Sequence, residues 1–219
     1  YGSYANQAGW RIEKGRRQAR HVSAVFEWTG HSPSSPLLLD VGCGYGYFRN
    51  AVGELGWSHH GLEVSDFAAR ASREMFGFDT QVGHLVDVPR PPNGYDAIVM
   101  WDFIEHLDDP DATLRTAQRL LCDRGLLFIR TPNLLAAEAM VFGSDYHSLK
   151  LEHLHMFSAA SLAAALVAAG LAPVVVETES HLLQGFLGSR TAELSATQQG
   201  SDFFVAAERV ATASGPTWG

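Results

Sequence analysis

Residues Leu37 to Phe48, LLLDVGCGYGYF, constrain the fold of this chain more than any other stretch. The apolar run Leu37–Leu39 has the length and bulk of a parallel strand covered on both faces. Gly42, Gly44 and Gly46, at alternate positions, allow a tight turn and a close approach of backbone to a ligand, where a Cβ would intrude. A helix starting at Tyr47 would aim free N–H groups and its positive dipole end at the same spot. A bare strand-to-helix turn needs one glycine and rarely three, so the turn reads as a ligand loop.

Its spacing narrows the ligand. Dinucleotide-binding turns carry Gly-x-Gly-x-x-Gly, whereas here the spacing is Gly-x-Gly-x-Gly, position 47 is tyrosine, and Asp40 stands two places before the first glycine. The pattern Asp40-x-Gly42-x-Gly44-x-Gly46 resembles the first motif of class I S-adenosylmethionine (SAM) dependent methyltransferases. The resemblance implies SAM as cofactor, with the loop packed on its methionine end.

Composition sets the frame. A length of 219 residues, 46% of them hydrophobic and 18% charged, fits one soluble globular domain with a sizeable core. No run of about eighteen apolar residues is present, so no membrane span is expected, and no signal peptide is visible. Cys43 and Cys122 form neither a disulfide framework nor a zinc pattern, which suits a reducing cytoplasm. A net charge of −8 disfavours a protein that tracks nucleic-acid phosphates. Arg11, Lys14, Arg16, Arg17 and Arg20 cluster near the N-terminus and read first as a solvated helix face.

Along the chain, residues 4–29 are expected to form a helix, with Gly9 and Gly15 weakening its first half. Strands follow at 37–41, 60–64, 79–82, 95–101 and 125–130, separated by helices over 47–55, 66–76 and 109–121. Ser65 is the expected N-cap of the second of these and Gly77 its stop. An irregular insert runs from residue 134 to about 157, and Ser158 caps an alanine-rich helix to Ala169. Two strands, 173–178 and 202–207, close the chain with no helix between them and should pair antiparallel. The fold class is therefore α/β: a doubly wound, Rossmann-like sheet of seven strands, one of them reversed, in a single domain. Residues 1–30 are expected to form a helical lid and residues 134–157 a substrate-side insert.

Glu63 ends the second strand about twenty residues beyond the glycine turn, where a carboxylate can accept hydrogen bonds from both ribose hydroxyls. After the third strand, Gly83–Asp87 occupies the place where class I methyltransferases hold the adenine, so Leu85 or Val86 would cover the ring. The fourth strand runs into Trp101-Asp-Phe-Ile-Glu-His-Leu-Asp-Asp-Pro110, and a later segment reads Glu152-His-Leu-His-Met-Phe-Ser158. With Thr131-Pro132-Asn133 between them, these resemble the branch that includes the ubiquinone-pathway O-methyltransferases and methyltransferases of polysaccharide and natural-product pathways. The resemblance implies that Trp101 faces the cofactor, with a core tryptophan as the alternative.

An activated methyl donor needs alignment more than elaborate acid–base machinery, but a hydroxyl acceptor must also lose its proton. His106, His147, His153 and His155 are the candidate bases, and His106 and His155 lead because both fall on motif positions of the branch. The Trp101–Pro110 segment also resembles the small-RNA 2′-O-methyltransferases, which hold a divalent ion through Glu-x-x-Glu-His and a distant histidine. The matching positions are Asp102, Glu105, His106 and His155, with the shorter Asp102 a departure; without metal they would form a hydrogen-bonded lining. The expected function is methyl transfer from SAM to a hydroxyl of a small-molecule acceptor, of secondary-metabolite or sugar type. N-methylation of a small amine, RNA 2′-O-methylation and NAD-dependent oxidoreduction are the alternatives, and a homodimer is compatible with the sequence.

Overall fold

The computed structural model describes residues 8–31, 33–179 and 202–210. Helix α1 (Ala8–Thr29) leads into β1 (Leu37–Val41), α2 (Tyr47–Glu54), β2 (Ser58–Glu63), α3 (Asp66–Phe76) and β3 (Gln81–Val82). Then come β4 (Tyr95–Trp101), α4 (Pro110–Leu120), β5 (Leu121–Pro132), α5 (Ala137–Phe142), α6 (Ala159–Ala168), β6 (Leu171–Glu179) and β7 (Asp202–Arg209). The strands form one sheet in the order β3-β2-β1-β4-β5-β7-β6, parallel except for β7, which runs antiparallel to both neighbours.

Strand alternation sorts the core into two layers. Leu39, Val41, Ile98, Met100, Leu127 and Ile129 face α4 and α6 on one side of the sheet. Leu38, Ala97, Val99, Leu126, Phe128 and Phe204 face α1 and α2 on the other. Both faces of the central strands are thus dry, as their near-continuous apolar sequences require.

Capping follows the sequence. Ser65 Oγ accepts from the Ala68 amide and Gly77 closes α3 with φ 73°. Asp109 caps α4 ahead of Pro110, and Ser158 and Ser161 form a reciprocal capping box on α6.

Three elements differ from the sequence expectation. Strand β3 has two residues because Asp79 and Thr80 are drawn aside to bond Arg49. Strand β5 begins at Leu121, paired with Tyr95, and then bulges so that Ala97 meets Leu126, with Arg124 at φ 63°. The insert is not wholly irregular, since the helix formers Ala137–Met140 build the short α5.

Helix α1 contributes to the core through Ala19, Val22, Val25 and Phe26. Gly15 lets the helix cross α2, since a Cβ there would stand 2.7 Å from the Tyr47 carbonyl. Residues 4–7 and His181 lie outside the described residues.

Candidate functional site

Three left-handed glycines shape the turn after β1, with φ of 71° at Gly42, 51° at Gly44 and 85° at Gly46. The amides of Gly42 and Cys43 donate to Leu62 O at 2.9 and 3.1 Å, tying the turn to β2. A Cβ on Gly42 would meet the Phe103 ring at 2.6 Å, and one on Gly46 would meet Ser72 Oγ at 2.6 Å. A Cβ on Gly44 would have no neighbour within 4 Å. Two of the glycines therefore serve packing, and Gly44 turns its bare Cα to open space.

Glu63, at the end of β2, accepts from Gly44 N through one carboxylate oxygen and from Ser65 N through the other, both at 2.9 Å. A carboxylate has about four lone-pair sites, so each oxygen retains acceptor capacity for a ligand hydroxyl. Two cavities meet at Gly42. The larger, about 680 Å³, is bounded by Glu63, Val64, Leu85, Phe103, His106 and Thr113. The smaller, about 290 Å³, is bounded by Trp10, Lys14, Asp40, Gly44, Tyr45 and Trp101. Gly42 lines both lobes.

Trp101 packs edge-on to Phe48 with centroids 5.3 Å apart and stacks on Phe204 at 6.0 Å. It is both a core ring and a wall of the smaller lobe. Its indole N–H is buried without a partner among the described residues, a donor suited to a polar ligand group.

Asp40 lies beneath the loop and is 2% exposed. Burial pushes its carboxyl up to about 7, with Arg49 drawing it down and Glu63 raising it. Arg49 was not foreseen from sequence. It is itself buried, donates to Thr80 Oγ1 at 2.8 Å and Asp79 O at 2.9 Å, and lies flat over Gly61. Only the missing side chain at 61 could have signalled it.

Beyond β4 the chain turns at Asp102, which adopts φ 52°. Its carboxylate takes two bonds from Arg130, at 2.7 and 2.8 Å, and one from Lys14 at 3.2 Å. Asp102 therefore faces α1 and β5, not the histidines. Glu105 is 1% exposed. Its Oε2 accepts from Thr131 Oγ1 at 2.9 Å, while Oε1 has no hydrogen-bond partner among the described residues. Burial raises its carboxyl above the usual range.

His106 Nδ1 lies 2.8 Å from Glu152 O. A carbonyl only accepts, so Nδ1 carries the proton and Nε2 is left with a free lone pair. His153 is arranged likewise, with Nδ1 2.8 Å from Ser148 O, and its ring meets that of His106 at 4.8 Å. Burial lowers the His153 pKa. Ligand atoms of Glu105, His106 and His153 lie within 4.8 Å of one another.

His155 stands apart from this group. Its amide donates to Glu105 O at 3.1 Å and its ring stacks on Phe157. His147 is exposed beside Tyr146. Of the four residues matched to the metal-holding pattern, the fold gathers Glu105 and His106, and supplies His153 in place of Asp102 and His155.

The sequence profile of a family described as "Methyltransferase domain" matches residues 11–176. The chain belongs to that family and is a class I SAM-dependent methyltransferase. It is 28% identical over 183 residues to a Mycolicibacterium smegmatis protein named "Probable S-adenosylmethionine-dependent methyltransferase", covering 83% of this chain and 67% of the relative. It is 31% identical over 134 residues to the ubiquinone biosynthesis O-methyltransferase of Xanthomonas oryzae, covering 58% of this chain and 54% of the relative. The chain thus spans about half the length of that enzyme. A SAM-dependent methyltransferase of Thermotoga maritima superposes with a TM-score of 0.67 at 18% identity, covering 95% of each chain. Among the described residues no helix is long and apolar enough to cross a membrane.

Proposed function

We propose that the chain methylates a hydroxyl of a small organic acceptor, with His106 Nε2 as the proton acceptor. The observation that carries this reading is the Nδ1–H bond of His106 to Glu152 O, which fixes the ring and leaves a basic nitrogen beside the larger lobe. When bound, SAM supplies an activated methyl on a positively charged sulfur. Glu63 would hold the ribose, Leu85 would cover the adenine, and Gly44 and Trp101 would receive the methionine end beside Asp40. Phe103, pressed on Gly42 where the lobes meet, would fix the bend of the cofactor.

The acceptor oxygen must sit about 3 Å from the methyl carbon and in line with its bond to sulfur. His106 takes the hydroxyl proton as that oxygen bonds to carbon. The O-methyltransferase among the relatives supports a hydroxyl over an amine. Exposed Leu135, Met140, Val141 and Leu151 on the insert support an acceptor with apolar surface, of natural-product kind. A cytoplasmic setting agrees with the two free cysteines.

A second reading rests on the convergence of Glu105, His106 and His153. These three could hold a divalent cation, which would supply Lewis-acid polarisation of an acceptor hydroxyl. Turnover with and without a chelator separates the readings. Unchanged rates keep His106 as a plain base, and loss restored by Mg²⁺ or Zn²⁺ favours the metal.

The defining experiment is S-adenosylhomocysteine binding by calorimetry, followed by a panel of phenols, catechols, glycosides, amines and short RNA. Methyl transfer to hydroxyl acceptors is expected. Transfer to amines or RNA alone would overturn the proposal.

A further inference from the structure

On the sheet edge opposite the glycine loop, three side chains from three elements converge. His31 follows α1, Asp96 is the second residue of β4, and Cys122 is the second of β5. His31 Nε2 lies 3.8 Å from Asp96 Oδ1, and Cys122 Sγ lies 3.7 Å from that same oxygen. The three ligand atoms all lie within 4.8 Å of one another. The other Asp96 oxygen accepts from the Leu37 amide at 2.8 Å, which fixes the carboxylate at the mouth of β1. Behind His31 its ring leans on Phe26 at 5.6 Å, and its Nε2 is buried with no hydrogen-bond partner among the described residues.

We propose that His31, Asp96 and Cys122 form a site for one divalent cation of the zinc class, separate from the methyl-transfer chemistry. The donor set decides the class. An imidazole nitrogen, a carboxylate oxygen and a thiolate sulfur suit the borderline-soft Zn²⁺, whereas Mg²⁺ and Ca²⁺ take oxygen ligands. Tetrahedral ligands at zinc distances of about 2.0–2.3 Å stand roughly 3.3–3.7 Å apart. The observed 3.7 and 3.8 Å therefore need to close by only a few tenths of an ångström. Water completes the fourth position. On binding, the S–H bond of Cys122 breaks, a sulfur–metal bond forms and the proton passes to solvent, with no change of oxidation state.

The leading role is structural. The ion would tie the end of α1 to the first residues of β4 and β5. The first turns of that same helix carry Trp10 and Lys14 on the wall of the smaller lobe, so clamping its far end steadies a wall of the cofactor site. The Glu105–His106–His153 group contains no sulfur, which makes the two sites separable by spectroscopy.

The test is titration of the full chain with Co²⁺. The expected result is one equivalent of bound ion with a thiolate-to-cobalt absorption in the near ultraviolet, kept when His106 and His153 are both replaced by alanine. Cys122→Ser should abolish that absorption. His31→Ala or Asp96→Asn should weaken cobalt binding by about tenfold or more, at least the cost of losing an outer-shell partner. With His106 and His153 both replaced by alanine, Zn²⁺ should still raise the thermal midpoint, and adding Cys122→Ser should leave it unmoved by Zn²⁺. A bare ion pair with a thiol hydrogen bond predicts no thiolate absorption, and that outcome overturns the site. So does an absorption that survives Cys122→Ser, which would place the sulfur ligand at Cys43. Should Cys122→Ser fail to fold, the His31 and Asp96 variants decide alone: undiminished cobalt binding in both overturns the proposal.

Discussion

His106 and Glu152 are joined by a 2.8 Å hydrogen bond from the imidazole Nδ1–H to the main-chain carbonyl, across 46 positions of sequence. That bond locks the end of β4 to the insert and chooses the tautomer that makes Nε2 basic. Replacing His106 by alanine should lower kcat about 10²- to 10⁴-fold, the usual reach of a general base. S-adenosylhomocysteine affinity should stay within about twofold, since Glu63 and the glycine loop are untouched. His155→Ala should keep most turnover, because that residue holds Glu105 through its backbone amide. Equal activity of the two variants would remove His106 from the chemistry.

Gly42 and Gly44 share a backbone conformation and differ in surroundings, so alanine at each should fail differently. Gly44→Ala carries about 1–2 kcal/mol of left-handed strain in open space, and should fold while binding S-adenosylhomocysteine at least about tenfold more weakly. Gly42→Ala adds a clash with Phe103, the usual overpacking cost of about 1–3 kcal/mol, and should melt well below Gly44→Ala. Phe103→Leu in the Gly42→Ala background should recover part of the difference. Parallel melting curves and calorimetric titrations of the three variants check this, and equal stability losses at 42 and 44 would contradict the assigned packing.

Arg130 crosses the sheet edge to bind two carboxylates, Asp102 from the β4 exit and Asp202 from β7. It is 8% exposed, so its removal strands buried or half-buried charge. Arg130→Met should cost about 3–5 kcal/mol in denaturant unfolding, the penalty for breaking a buried ion pair from one side. Arg130→Met with Asp202→Asn and Asp102→Asn should recover much of it. A cost below about 1 kcal/mol for the single change would show that the pairs are screened as surface pairs are.

Much of the scaffold was legible because its signals are local. Ser65, Gly77, Asp109 and Ser158 sit where the caps require them, and alternation along β1, β4 and β5 follows the two-faced core. The loop and Glu63 could be placed by spacing, and the Leu85–Val86 segment by resemblance, since strand ends in a parallel sheet all arrive at one edge. The acceptor side was harder. Its partners come from far apart, and whether Asp102 points to His106 or to Arg130 is set by one left-handed residue that no spacing rule reports. Arg49, buried against a glycine of the next strand, and the convergence of His31, Asp96 and Cys122 depend on tertiary contact alone.

Asp40 gives a pH signature. Its folded pKa, raised to about 7 by burial, stands above the ordinary 3.8. The folded state therefore binds this proton more tightly than the unfolded chain, and the stabilisation present below about pH 4 is lost as pH rises to about 7. His59 works in the opposite sense: burial lowers it to about 4 from 6.5, so its contribution falls as pH drops through that range. The net slope of the unsubstituted protein thus mixes the two, and the informative quantity is its difference from Asp40→Asn. That difference in unfolding free energy should be near constant above about pH 8 and change between pH 4 and pH 7. The change is on the order of 4 kcal/mol at most, at about 1.4 kcal/mol per pKa unit. Relative to the unsubstituted chain, Asp40→Asn should gain stability as pH rises through that window. Chemical denaturation at unit pH steps measures it, and a difference that is flat from pH 4 to pH 8 would mean that Asp40 is ionised throughout, its charge held by Arg49.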